Sequence, residues 1–110
     1  MRDDREKLLD IMEAIERIEE RTMGDKDVFQ HDEMVQVWTL YHVQIIGEAA
    51  STISESLRSH HSHIPWADIV AMRNVIVHHY FGVDMDQIWD TVSNDLPVLK
   101  AWITSILDDV

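Results

Sequence analysis

Cysteine is absent from this chain of 110 residues. That excludes a disulfide framework, a thiolate zinc site and a cysteine nucleophile. The 3 glycines and 2 prolines are too few for a turn-rich sandwich or a collagen-like repeat. No apolar run approaches the roughly 20 residues that span a bilayer, so no membrane association is expected. After Met1, the first ten residues interrupt their charges only at Leu8 and Leu9. A secretory signal is therefore not expected, and the expected location is the cytoplasm. Cations are also scarce: 9 Lys and Arg stand against 21 Asp and Glu, a formal net charge of −12. Such a chain repels nucleic acid and anionic lipid at long range. Contact with a phosphate has to be made locally, by a few well-placed cations.

What is present is helical in pattern. Hydrophobic residues make up 45% and charged residues 27%, enough for one packed core, so residues 1–110 are read as a single domain. Leu8, Ile11, Met12, Ile15 and Ile18 recur at spacings of three and four, which predicts an amphipathic helix. Gly24 is its expected C-terminal cap. A second helix is expected from about Asp32 to Arg58, apolar on more than one face. The polar stretch from Ser59 to Ile64 reads as a loop, and Pro65 suits the first turn of a third helix. That helix carries Trp66, Ile69, Val70, Met72, Val75, Ile76 and Val77 and is expected to fray near Tyr80-Phe81-Gly82. Asp84 is placed to cap a fourth helix. Pro97 disfavours helical geometry at Leu96 and predicts a kink or restart there. The fold class is all-α, a bundle of four or five helices.

Arg73 is the only Lys or Arg between Arg58 and Lys100. Ile69 and Val70 precede it and Ile76 and Val77 follow it on nearly the same stripe, where a guanidinium is costly unless it is paired or faces a polar cleft. One reading is structural, with Arg73 bonded to a helix end or to Asp68. The other is functional. His78 lies five positions on, rotated by roughly 140° in a regular helix. The two therefore converge on one substrate only if the helix ends between them or two copies of the chain combine. Asn74 and His78, four apart, share a face, so Asn74 is placed to orient the imidazole. Taken alone, His78 reads rather as a hydrogen-bonded histidine at a helix end than as a catalyst, and Tyr80 as a half-buried aromatic against Trp89 or Phe81.

Arg73, four residues, His78, one residue, Tyr80 resembles the R-x4-H-x-Y signature of the HepT family, HEPN-domain toxins of prokaryotic toxin–antitoxin pairs. Ile46-Gly47-Glu48-Ala49, Ile64-Pro65-Trp66, the run Phe81-Gly82-Val83-Asp84 and Trp89 extend the likeness from about residue 5 onward. The resemblance implies a small HEPN-type helical bundle that forms a homodimer, bringing two motif copies into one cleft. It implies a metal-independent endoribonuclease with no cofactor, Arg73 and His78 being catalytic. A histidine titrating near pH 6.5 can move a proton at the ribose 2′-hydroxyl or the leaving 5′-oxygen. An arginine fork stabilises negative charge building on the phosphate. The resemblance also implies a partner, a cognate minimal nucleotidyltransferase antitoxin that transfers AMP from ATP to Tyr80. AMP there places bulk and negative charge beside Arg73.

Five further features accompany the motif. His79 offers a second imidazole beside His78. Glu48, behind the small residue Gly47, is placed either to hold Arg73 or to form an ordinary surface salt bridge. His60, His61 and His63 are read as solvated loop histidines, so no metal site is expected. The acidic run Glu13, Glu16, Glu19 and Glu20 reads as the solvated face of the first helix or as a dock for a basic partner. Trp38, Trp66, Trp89 and Trp102 read chiefly as core. Two other functions compete with the nuclease. One is a non-catalytic nucleotide-binding or substrate-presenting subunit of a nucleotidyltransferase complex, and the other is a structural helical adaptor.

Overall fold

In a computed structural model of the chain, residues 3–78 and 82–109 are described, apart from the side chains at 75, 77 and 78. The described elements are α1 (Asp4–Thr22), α2 (Lys26–His31), α3 (Glu33–Ser51), α4 (Glu55–His60), α5 (Trp66–His78), α6 (Met85–Asp90), a π-helical turn (Thr91–Asp95) and α7 (Leu96–Asp109). No strand occurs among the described residues. The all-α expectation holds. Four long helices, α1, α3, α5 and α7, form the bundle, and the short ones close its ends.

Helix α1 forms because its apolar residues fall on one stripe. Leu8, Ile11, Ile15 and Ile18 are fully buried, while Glu13, Glu16, Glu19 and Glu20 are exposed. Asp3 starts the helix by accepting the Glu6 amide at 2.9 Å, a donor that would otherwise lack a partner. The stop differs from the expected one. Met23 takes the left-handed conformation at φ 52°, and Gly24 follows at φ 66°. Two consecutive left-handed residues reverse the chain between helices, and only the second is a glycine. Asp25 then caps α2, a helix that the hydrophobic pattern did not separate from the turn; its Phe29 is fully buried against Trp89, ring centroids 5.3 Å apart.

Helix α3 sits at the centre and packs extensively on α1 and on α5. Its 19 residues span about 28 Å. Asp32 caps it through the Met34 and Val35 amides. The expected single helix from Asp32 to Arg58 is in fact two. α3 ends at Ser51, and Ser54 starts α4 by accepting the Leu57 amide. A serine able to bond its own following backbone makes restarting competitive with continuing. α4 takes in Ser59 and His60, so the loop is shorter than its polarity suggested. Pro65 lies just before α5, where its carbonyl accepts from Asp68 and Ile69.

Asp84 caps α6 as expected, through the Asp86 and Gln87 amides. At Pro97 the outcome is a correction. Leu96 stays in the right-handed helical region at φ −64°, ψ −40°. The adjustment falls one turn earlier, where the Leu96 amide bonds Thr91 in the wide π pattern. One extra residue in that turn accommodates a proline that cannot donate to it. The expected fraying near Tyr80 falls on residues 79–81, outside the described residues.

Candidate active site on α3 and α5

The site is built where α3 and α5 touch most closely. A β-carbon placed on Gly47 would lie 2.3 Å from the Arg73 Cβ and 3.3 Å from its Cα. No side chain fits there, so glycine at this position is what lets the α5 backbone settle onto α3. The close approach at Gly47 is made by Arg73 itself, and it fixes the root of that side chain.

The far end of Arg73 is fixed as well. Its Nε lies 2.9 Å from the Glu48 Oε2, and Nη1 donates to the Asn74 Oδ1 at 3.2 Å. Asp68, the other candidate partner, makes no bond to it among the described residues. The Arg73 side chain is 35% exposed and that of Glu48 62%. An ion pair at such exposure adds at most about 1 kcal/mol of stability. Its effect is geometric. Glu48 takes the Nε side of the guanidinium, Asn74 shares Nη1, and Nη2 has no partner among the described residues. The fork is held at its base and open at its edge, the arrangement that suits a phosphate or carboxylate ligand.

Asn74 bonds Arg73, its neighbour, through its amide oxygen, and its expected pairing with His78 falls on a side chain outside the described residues. Helix α5 is continuous through His78. A helix end between Arg73 and His78, one of the two ways to bring them together, does not occur. The side chain of His78, and His79 and Tyr80 altogether, lie outside the described residues.

The remaining candidates separate from this site. His60 bonds the Ser56 carbonyl, and the His63 ring meets Trp102 edge to face at 5.9 Å. Among the described residues no three His, Asp or Glu gather in a way that would hold a metal ion. Trp66 and Trp89 are buried, as expected of core, whereas Trp38 and Trp102 are half-buried. Trp38 is held by its indole bond to the Arg17 carbonyl and lies beneath the Arg21 guanidinium at 5.1 Å. Among the described residues no helix is long and apolar enough to cross a membrane.

Comparison with known proteins identifies the family. The family described as "Ribonuclease HepT-like" matches residues 11–106. A Thermococcus cleftensis protein named a probable ribonuclease HepT is 42% identical over 96 residues, 86% of each chain. A Caldanaerobacter subterraneus protein named as a candidate RNase is 33% identical over 98 residues, 88% of each chain. A Methanocaldococcus jannaschii protein, whose name joins a gamma-glutamylcyclotransferase to a candidate RNase, is 36% identical over 101 residues. That alignment takes 91% of this chain but only 46% of the longer protein. No solved structure gives a significant match. With the family matched across most of its length and its α3–α5 seam built around Arg73, this chain belongs to the HepT-like ribonuclease family.

Proposed function

We propose that this chain is a metal-independent ribonuclease toxin whose Arg73 and His78 cut RNA, silenced when a partner nucleotidyltransferase attaches AMP to Tyr80. The observation that carries the reading is the half-open guanidinium of Arg73, anchored by Glu48 at 2.9 Å and by the Gly47 seam. A fixed cation with an unengaged edge is ready to receive a phosphodiester without reorganising.

In the proposed reaction the ribose 2′-oxygen attacks the adjacent phosphorus and the 5′-oxygen leaves. One imidazole accepts the 2′ proton, and a second, protonated imidazole donates to the departing oxygen. Arg73 offsets the negative charge on the phosphoryl oxygens. Because α5 stays helical from Arg73 through His78, their positions point roughly 140° apart within one chain. A homodimer in which two motif copies face one cleft supplies both groups, with His79 as a neighbouring imidazole. Exposed Met34, Val37 and Tyr41 on α3 leave apolar surface for association. AMPylation follows the same electrostatics. The Tyr80 oxygen attacks the α-phosphorus of ATP and pyrophosphate leaves. The added phosphodiester then brings negative charge and bulk to the guanidinium.

The test is RNA cleavage by the purified chain and by Arg73→Ala and His78→Ala. Cleavage lost in both variants, with folding intact, is the expected result; equal cleavage by all three overturns the nuclease. Co-expression with the nucleotidyltransferase should add AMP to the intact mass, and Tyr80→Phe should abolish the adduct. Adducts that persist in that variant overturn the control step alone.

A further inference from the structure

A groove of about 370 Å³ runs between α5, the π turn and α7, away from the Arg73 fork. Its walls are apolar, with Met72, Val98, Leu99 and Trp102 prominent, and two carboxylates, Asp68 and Asp95, stand on it. Val98 is 47% exposed and Trp102 only half-buried. Both aspartates are exposed, and neither meets a cation among the described residues. The volume falls in the range of sites that enclose a compact ligand or one or two side chains.

We infer that this groove docks a segment of a partner protein carrying an apolar side chain flanked by Lys or Arg. The apolar floor asks for a hydrophobic anchor, and unpaired carboxylates on the rim ask for cations beside it. RNA is disfavoured, because the same carboxylates repel its phosphates. A second copy of this chain is disfavoured too. It carries the same net charge of −12, and most of its described cations already have partners. Arg17 lies between Glu13 and Glu20, Arg73 is on Glu48 and Lys100 is on Glu19. Lys7 and Arg58 are taken up by backbone carbonyls. What this surface lacks, a basic and apolar segment from another protein supplies. The site stands on its own lining residues and does not depend on the nuclease reading.

The experiment titrates the full chain with a synthetic amphipathic helix of leucine and lysine, and with its leucine–glutamate counterpart, following Trp102 fluorescence and heat. Trp102→Phe identifies the reporting indole. The Leu/Lys peptide should bind, with Val98→Glu and the pair Asp68→Asn, Asp95→Asn each weakening it by about ten-fold. Glu16→Gln with Asp108→Asn, which removes two charges elsewhere, should weaken it by less than about two-fold. Glu16, Asp68, Asp95, Val98 and Asp108 are exposed, and circular dichroism checks that each variant is folded. Absence of binding, equal binding of the Leu/Glu peptide, or an equal loss in the remote pair overturns the proposal. Self-association abolished by Val98→Glu assigns the groove to a second copy and also overturns it.

Discussion

Arg58 and Arg73 are the same residue type on two helices that flank α3, and they are used in opposite ways. Arg58 points its Nη2 at the Ala50 and Ser51 carbonyls, 3.2 and 2.8 Å away. Those carbonyls belong to the last turn of α3, where the helix has no amide left to offer and the dipole is negative. Its Nε is buried and has no partner among the described residues. Arg73 turns its Nε to a carboxylate, and its Nη2 has no partner among the described residues. One guanidinium closes a helix end, and the other is held through its Nε and Nη1 by side chains of α3 and α5.

The largest expected effect tests that contrast from the functional side. Arg73→Ala should lower RNA cleavage by about 10²- to 10³-fold, the usual loss when one donor to a developing oxyanion is removed. Thermal stability should change little, since the ion pair that disappears is largely solvated. Lys at this position should not restore activity, because an ammonium cannot offer an edge to the phosphate while bonding Glu48. Arg58→Ala should behave in reverse. Losing two bonds from a charged donor should cost about 2 kcal/mol, read as a lower urea midpoint with cleavage at low temperature unchanged. If Arg58→Ala silences cleavage while folded, the separation of roles fails.

Gly47→Ala brings the two readouts together. The new methyl meets the Arg73 Cβ and backbone, not the free end of a long side chain, so the α3–α5 seam has to open. Overpacking of this kind costs about 1–3 kcal/mol, offset by about 1 kcal/mol of better helix propensity. A net loss of up to about 2 kcal/mol is expected, measured by urea unfolding. Activity per folded molecule should fall as well, because the root of Arg73 moves. Unchanged cleavage in folded Gly47→Ala would show that the position of Arg73 is not fixed by this contact.

Much of this was legible before the structure. Apolar residues at three- and four-residue spacing located α1 and α5, and Asp84 announced α6, because burial and capping are local and periodic signals. The pairing of Glu48 with Arg73 was one of two readings left open by the sequence. It was settled by a contact between residues 25 apart (48 and 73), which no local pattern encodes. The break at Thr52–Ser54 escaped notice because the apolar pattern continues through Ile53 to Leu57, and only the capping geometry of Ser54 separates the helices. The π turn escaped for a related reason. Pro97 signals that a backbone bond is missing, but the helix can answer by widening one turn earlier. The bond from Arg73 to the Asn74 amide oxygen joins chain neighbours, which helical face spacing does not announce.

The smallest effect concerns the tether that holds α4 against α1. Asp4 accepts the Ser54 amide at 3.0 Å through Oδ1 and the Ser54 hydroxyl through Oδ2, while Lys7 donates to the Thr52 carbonyl at 2.6 Å. Partial burial alone would raise the Asp4 carboxyl, but the two Ser54 bonds, with Lys7 and Arg58 nearby, outweigh it. The folded group therefore titrates below its ordinary value of 3.8. A carboxyl lowered on folding contributes stability that is complete above its unfolded pKa and vanishes as pH falls through the folded one. Because the group is largely solvated, the contribution at neutral pH should be well under 1 kcal/mol. Urea midpoints of the native chain and Asp4→Asn should thus differ slightly at pH 7 and draw together as pH falls below the ordinary value of 3.8. A difference that stays constant across that range would mean that Asp4 acts through shape and not through charge, leaving Arg58 as the main cation-dependent element at this end of α3.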